Sequence, residues 1–131
     1  MQSKIEIFKK FILGLKEESK CETKKVAAII TDIGLQQVYA IGVNGGPRKQ
    51  IHCLCNNDSK YSCVHAEINC LIKCEKTFNP KIMFTTLSPC YTCAATIVNS
   101  QNISTVYYIE TWKDTRGLGI LNQAMIQTIK I

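Results

Sequence analysis

Two short motifs constrain the fold of this 131-residue chain more than any other feature. The first is HAE at 65–67, and the second is PCYTC at 89–93. Cys90 and Cys93 are three residues apart, so in a helix both sulfurs lie on one face. Histidine nitrogens and cysteine thiolates are characteristic zinc ligands in proteins. If His65 joins these cysteines at one metal, the fold must bring together two segments about 25 residues apart.

The segments around these motifs alternate between helix and strand patterns. Helical spacing of apolar residues predicts helices over about 3–18, 65–76, 90–100 and 117–125. Apolar, β-branched runs predict strands over 25–32, 35–44, 81–87, 104–110 and 126–131, the first two as a hairpin. This order indicates a single α/β domain over 1–131 with a partly parallel central sheet. In such a sheet, the first turns of two helices can lie at the same edge.

The bulk properties limit the location and the partners of the chain. The apolar residues of the N-terminal segment are interrupted by Lys4, Glu6, Lys9 and Lys10, which argues against a secretory signal. Eight cysteines would suggest disulfides in a secreted protein, but not in the reducing cytosol. We therefore expect a cytoplasmic protein whose clustered cysteines bind metal rather than form disulfides. No apolar run approaches a membrane span. The net charge of +6 indicates either an anionic partner or a solvated basic surface.

The two motifs together predict a catalytic zinc. Three ligands (His65, Cys90 and Cys93) leave the fourth tetrahedral position to water, as in catalytic rather than structural sites. Zinc lowers the pKa of bound water toward ~7. Glu67 is too close in sequence to His65 to share the metal easily, but it can reach the water and carry its proton. His-x-Glu followed by Pro-Cys-x-x-Cys is the signature of zinc-dependent base deaminases.

Each half of this signature is weak by itself. A histidine near a glutamate is usually a capping pair at a helix start, and a lone CxxC is often structural or redox-active. Their order and the Pro-Cys junction favour an enzyme. The competing class, a non-enzymatic zinc module that binds nucleic acid, would ligate its metal fully and would not need Glu67.

Longer stretches resemble the deoxycytidylate (dCMP) deaminases of the cytidine deaminase-like superfamily. They are HAEINCLI, TTLSPCYTCAATI, VYYIETWKD and GILNQAMI, together with KKVAAII and AIGVNGGPR nearer the N-terminus. The resemblance runs from about residue 20 to the end. It implies a three-layer α/β/α sandwich with a central five-stranded mixed sheet. The Asn-Gly-Gly-Pro turn at 44–47 is the part more specific to the dCMP branch, although an ordinary hairpin turn also uses Asn-Gly.

The resemblance also implies the reaction, which is hydrolysis of dCMP to dUMP and ammonia with Glu67 as the catalytic residue. It further implies substrate contacts. Asn44 would bind the deoxyribose and Arg48 would lie toward the phosphate. The main-chain N–H of Ala66 would hold the base carbonyl. Val26 would line the base pocket or belong to the core, and the same two alternatives stand for Trp112.

Four other cysteines suggest a second zinc. Some relatives carry a structural zinc near the positions of Cys21, Cys53 and Cys63, with Cys55 as the fourth sulfur here. Since relatives also use other ligand types, His52 is an alternative to one cysteine. A closed site of this kind would be structural.

Cys70 and Cys74 form a separate pair. They are four residues apart on the predicted helix that follows His65, interleaved with apolar residues. Free cysteine behaves as a small apolar side chain, so we expect both in the core.

The resemblance also bears on self-assembly, effector nucleotides and alternative substrates. Many dCMP deaminases are hexamers regulated by dCTP and dTTP, so we expect a homo-oligomer and consider both nucleotides as effectors. The segment 44–62, which has no helical or strand pattern and is predicted to be a long loop, is shorter than in many relatives, which puts the effector site in doubt. Alternative substrates are dCTP, a nucleoside, a free base or tRNA. No arginine-rich C-terminal helix accompanies the motifs, so a nucleic-acid partner is not expected.

Overall fold

The predicted helices and strands are present in the computed structural model, which describes residues 2–49, 63–100 and 102–131. Each predicted element is found within a few residues of its expected bounds. The helices are α1 (Gln2–Leu15), followed by a 3-10 turn at Lys16–Glu18, α2 (Ala66–Lys73), α3 (Tyr91–Ser100) and α4 (Arg116–Gln123). The strands are β1 (Ala27–Asp32), β2 (Val38–Val43), β3 (Lys81–Leu87), β4 (Ile103–Glu110) and β5 (Gln127–Lys130).

The five strands form one mixed sheet in the order β2-β1-β3-β4-β5. β1 pairs antiparallel with β2, as the predicted hairpin requires, and also antiparallel with β3. β3, β4 and β5 are parallel to one another. Helices α3 and α4 supply the crossover connections that parallel neighbours need. The prediction of a five-stranded mixed sheet is confirmed.

Helices cover both faces of the sheet, which gives the three layers. Successive strand residues point to opposite faces. Accordingly, Ile29 and Phe84 pack with Ile12 of α1 in one cluster of buried side chains. On the other face, Ala28 and Met83 pack with buried residues of the other three helices, Cys70, Ile97 and Leu121. Burying one large apolar side chain contributes about 1.5–3 kcal/mol, so these two clusters supply much of the folding energy.

The two cysteines expected in the core are buried. Cys70 is fully buried and Cys74 is nearly so, and both belong to the cluster beneath α2. Burial raises the pKa of the Cys70 thiol, which therefore stays protonated and apolar in character. The prediction that this pair packs in the core is confirmed.

One edge of the sheet collects the chain segments that carry the motifs. The parallel strands β3 and β4 end there, and because β1 is antiparallel to β3, it begins there. The segment after β2 and the start of α2 lie at the same edge, where Gly45 and Val64 form an isolated bridge. Ligand sites in open α/β sheets lie at this edge, beyond the carboxyl ends of the parallel strands.

Residues 50–62, which include His52, Cys53 and Cys55, lie outside the described part of the chain. Within the described part, no helix is both long and apolar enough to cross a membrane.

Candidate active site

The two motifs meet at the starts of two helices. His65 is the N-cap residue of α2, and Cys90 directly precedes the first residue of α3. The Nδ1 atom of His65 lies 3.1 Å from Sγ of Cys93 and 3.5 Å from Sγ of Cys90. The three potential ligand atoms all lie within 4.8 Å of one another. The structure thus brings together the three residues that the sequence proposed as ligands.

This cluster fits a tetrahedral zinc ion. Bond lengths of about 2.3 Å to sulfur and about 2.0 Å to nitrogen place the two kinds of ligand about 3.5 Å apart. The observed nitrogen–sulfur separations, 3.1 and 3.5 Å, are close to that value. Among the described residues, no other group of three or more histidine, cysteine or acidic side chains has this geometry. The donor set and its spacing are those of a zinc site with one position left for a non-protein ligand.

The two cysteines differ in how readily they supply a thiolate. A hydrogen bond from Cys93 holds the pKa of the Cys90 thiol at about 4, against the opposing effect of burial and with further help from His65. The same hydrogen bond, together with burial, raises the pKa of Cys93. One proton is therefore shared between two sulfurs that face the same point. A divalent cation at that point would replace this proton and make both sulfurs thiolates.

Glu67 stands beside the ligand cluster without belonging to it. Its side chain is buried, with 4% of the residue exposed, and it hydrogen-bonds Cys93. Burial raises the pKa of its carboxyl to about 7, although its own backbone N–H and nearby His65 act in the opposite direction. A carboxyl that titrates near neutral pH can both accept and return a proton. This is the arrangement that the sequence predicted for a proton carrier outside the metal shell.

Two glycines, which the sequence analysis did not single out, hold the two helix starts against their neighbours. A Cβ on Gly42 of β2 would lie 2.6 Å from the backbone O of Ala66 and the N of Cys70. A Cβ on Gly117 of α4 would lie 2.8 Å from the backbone O of Cys90 and closer still to that of Pro89. The backbones of Gly42 and Gly117 therefore approach the starts of α2 and α3 directly, with no side chain between them. A glycine inside a strand often marks such a close approach, and that signal was available for Gly42.

A cavity of about 310 Å³ opens beside the cluster, within the range of small-molecule sites. Four predicted contact residues line it, namely Val26, Asn44, Ala66 and Trp112. Val26 also belongs to the core cluster, so it both packs in the core and lines the cavity. Arg48 is exposed and is not among the described residues that line the cavity. The sequence analysis missed four other lining residues: Lys24, Leu87, Ser88 and Lys113.

Asn44 is fixed by hydrogen bonds on both sides of its amide. Its Oδ1 accepts from the backbone N–H of Val26 at 2.9 Å and from the hydroxyl of Ser19 at 2.6 Å. Its Nδ2 donates to the backbone O of Lys24 at 2.6 Å. An amide nitrogen has two N–H groups, so one donor remains for a ligand. Asn44 can therefore present a donor to the cavity, whereas its oxygen is occupied.

Two of the four cysteines suggested for a second zinc lie together. Cys21 and Cys63 are both buried, line the same cavity and share a side-chain hydrogen bond. Burial raises the pKa of Cys21, but hydrogen bonds from Thr23, the backbone and Cys63 outweigh it and bring the value to about 6. Two sulfurs of the suggested second site are thus adjacent. Cys53 and Cys55, and the alternative His52, belong to residues 50–62 and lie outside the described residues.

Comparisons with known proteins agree with this geometry. The cytidine and deoxycytidylate deaminase zinc-binding region matches residues 1–110. ComE operon protein 2 of Bacillus subtilis (strain 168) is 31% identical over 103 residues, which are 72% of this chain and 53% of that protein. The chain thus spans about half the length of this curated relative.

Solved structures extend the likeness to the fold. A dCMP deaminase from the cyanophage S-TIM5, in complex with dCMP and dUMP, superimposes with a TM-score of 0.85 and 28% identity, over 96% of this chain and 95% of that one. RibD of Acinetobacter baumannii shares the fold at 17% identity, with a TM-score of 0.74 over 99% of this chain and 35% of that one. Because the zinc-binding region matches residues 1–110, which are most of the chain, this chain belongs to the cytidine and deoxycytidylate deaminase family.

Proposed function

We propose that this single domain is a zinc-dependent deaminase that hydrolyses dCMP to dUMP and ammonia. The observation that carries the proposal is the position of Glu67, buried beside three converging zinc ligands at the wall of a nucleotide-sized cavity. The likeness to a phage dCMP deaminase over nearly the whole of both chains supports dCMP as the substrate.

The residues around the metal have two roles, which are binding the zinc and transferring protons. His65, Cys90 and Cys93 hold the zinc, which when bound supplies Lewis-acid activation of water at neutral pH. Glu67 would carry two protons, one after the other. The first comes from the attacking water and goes to N3 of the cytosine. The second comes from the hydroxyl that this water leaves on C4 and goes to the amine as the bond between C4 and the amine breaks. Because Glu67 is buried, bulk water does not compete for these protons.

The remaining lining residues orient the nucleoside. Ala66 is the first residue of α2, so its N–H has no acceptor within the helix and can donate to the carbonyl of the base. Val26 and Trp112 offer apolar surface for the base. The remaining N–H of Asn44 donates to a hydroxyl oxygen of the sugar, since its other polar groups are engaged by the protein.

A second zinc, with a structural role, is part of the proposal. The adjacency of Cys21 and Cys63 supports it, with Cys53 and Cys55 completing the four ligands and His52 as the alternative to one of them. We expect about two zinc ions per chain by elemental analysis and about one in a Cys63→Ser variant. A wild-type value near one would exclude the second ion.

We further propose that the enzyme acts as a homo-oligomer, by analogy with the hexamers of its family, with dCTP and dTTP as effectors. Apolar side chains exposed on the edge strand β2 support self-association, notably Val38, Tyr39 and Ile41. Light scattering measures the assembly size, and rates with and without each nucleotide test the effectors.

An ammonia-release assay with dCMP, dCTP, CMP, deoxycytidine, cytosine and tRNA tests the substrate. We expect dCMP to give the highest kcat/KM. A higher value for a nucleoside, a free base or tRNA would replace dCMP as the substrate while leaving the chemistry of the site intact. No ammonia from any of them by the zinc-loaded protein would overturn the proposed function.

A further inference from the structure

The cavity carries unlike charges at its two ends. Glu67, the single acidic residue among the described residues that line it, is almost fully buried beside the zinc ligands. Two lysines also line it, and both reach solvent: Lys113 is exposed and the side chain of Lys24 is 33% exposed. We call the part around Glu67 the inner end and the solvent-reaching part at Lys24 and Lys113 the outer end.

Lys24 is held in place by an ion pair. Its Nζ lies 3.0 and 2.9 Å from the two carboxylate oxygens of Glu110, at the end of β4. An ammonium group has three donors, so one donor remains after both oxygens are engaged. Lys24 therefore offers a fixed donor at the outer end, although Glu110 offsets its charge.

Lys113 supplies the charge that is not offset. Its Nζ lies 5.4 Å from the centroid of the Trp112 ring, a cation–π distance. The backbone N–H of Trp112 donates to the buried hydroxyl of Ser88 at 2.7 Å, which fixes the chain beside Lys113. None of the salt bridges found within the described ranges involves Lys113. A full positive charge thus stands at the outer end on an anchored segment.

We propose that Lys113, assisted by Lys24, binds the 5′-phosphate of the nucleotide substrate. This inference rests on the proposed function, which places the cytosine at the inner end beside Glu67. A nucleotide bound that way directs its sugar and phosphate toward the outer end. There the doubly charged phosphate meets the ammonium groups of Lys113 and of Lys24, of which Lys24 is also paired with Glu110. Lysine binds phosphate as a point charge with several donors. Lys113 thereby takes the role for which the sequence suggested Arg48.

Kinetics with a matched pair of substrates tests the role. Lys113→Ala is expected to lower kcat/KM for dCMP roughly 10-fold, as for the loss of one charge-assisted hydrogen bond, and to leave deoxycytidine within about twofold. Lys113→Arg keeps the charge and should recover most of the dCMP activity. Lys76→Ala, which removes an exposed lysine outside the cavity lining, is the control and should change neither substrate.

Three results would overturn the inference. They are an unchanged kcat/KM for dCMP in Lys113→Ala, an equal loss for dCMP and deoxycytidine, and a loss for dCMP in Arg48→Ala alone.

A binding measurement keeps the inference separate from the proposed function. The affinities of the zinc-loaded wild type and Lys113→Ala for dUMP and deoxyuridine, by calorimetry, do not depend on turnover. Weaker binding of dUMP alone in the variant supports the phosphate site even if no substrate is deaminated. Equal affinities of the two proteins for dUMP would overturn it even if dCMP is turned over.

Discussion

The inner and outer ends of the cavity are built in different ways. At the inner end, Ala66 and Glu67 are at most 4% exposed and belong to α2, which packs on the sheet. At the outer end, Lys24 and Lys113 lie on connecting segments and reach solvent. Proton transfer requires groups held to a fraction of an ångström, which packed elements provide. Substrate selection needs only a charge near the right place, and connecting segments supply it while remaining variable.

Removing the proton carrier gives the largest expected effect, and it is confined to the inner end. Glu67→Gln keeps the size of the side chain but removes its basic oxygen. We expect kcat to fall by at least about 1000-fold, since general acid–base catalysis contributes roughly 100- to 10,000-fold and here one group makes several transfers. Ammonia release measures the loss.

Zinc content and dUMP affinity control for this variant. Because Glu67 lies outside the ligand cluster, both should stay close to the wild type. Retained turnover would refute the proton-carrier role. Loss of zinc together with turnover would instead show that Glu67 supports the metal, and the contrast between the two ends would then need revision.

A single methyl group at Gly117, which lies outside the cavity, should disturb the inner end through the backbone of Cys90. Its Cβ would collide with the backbone of Pro89 and Cys90, so either α4 or the start of α3 must move. We expect Gly117→Ala to cost about 1–3 kcal/mol of stability, as overpacking does, and to lower zinc affinity. Thermal unfolding and a zinc competition assay measure the two effects.

Gly119 provides the matched control, two residues along the same helix. A Cβ there meets nothing within 4 Å, so Gly119→Ala should stabilise α4 by about 0.5–1 kcal/mol without changing zinc affinity. Similar behaviour of the two variants would show that the close approach of α4 to Cys90 does not position the ligand.

Replacing Ser19 tests the role of Asn44, which is proposed to bind the sugar between the two ends. Ser19 positions Asn44 but does not line the cavity. Its hydroxyl lies 2.6 Å from Oδ1 and 2.8 Å from the backbone O of Asn44. Ser19→Ala should raise KM for dCMP about 3- to 10-fold, the equivalent of roughly 1 kcal/mol, with a smaller change in kcat. Steady-state kinetics separate the two constants.

The control for Ser19 is Ser104→Ala in β4, whose hydroxyl bonds the backbone O of Lys81 and which does not line the cavity. It should leave KM unchanged. If Ser19→Ala instead lowered kcat about 3- to 10-fold and left KM unchanged, Asn44 would serve the chemical step and not sugar binding.

The sequence was most informative about the inner end. His65, Glu67, Cys90 and Cys93 have side chains whose chemistry is distinctive, and their spacing places them at helix starts. The alternation of helices and strands also predicted a partly parallel sheet that begins with a hairpin, although not the order of its strands. Both kinds of signal are local in the chain, which is why they could be recognised without coordinates.

The outer end could not be predicted in the same way. Lys24 and Lys113 are two of many lysines, and only the pairing of strands shows that their segments meet. Arg48 was suggested by the family resemblance around Asn44, whereas contact with the cavity depends on the path of the chain. The requirement for glycine at position 117 was also hidden, since the clash involves backbone about 27 residues earlier.

The smallest expected effect lies at the opposite edge of the sheet, in the turn of the β1–β2 hairpin. Asp32 accepts backbone N–H bonds from Gln36 at 2.7 Å and Gln37 at 2.9 Å. Slight burial raises the pKa of its carboxyl, but these donors outweigh it and hold the pKa below its usual range. Asp32→Ala should cost about 1 kcal/mol at neutral pH and leave kcat/KM for dCMP unchanged.

The pH dependence of that loss identifies its cause. A carboxyl whose pKa is lowered by folding stabilises the protein fully above the pKa of about 3.9 in the unfolded chain. This contribution disappears as the pH falls through the lower pKa of the folded state, so the stability difference between wild type and Asp32→Ala should shrink there. Denaturant unfolding at pH 7, 4 and below 3 measures it. A change in kcat/KM would contradict the separation of this turn from the cavity, because it would mean that strain in the hairpin reaches Asn44 along β2.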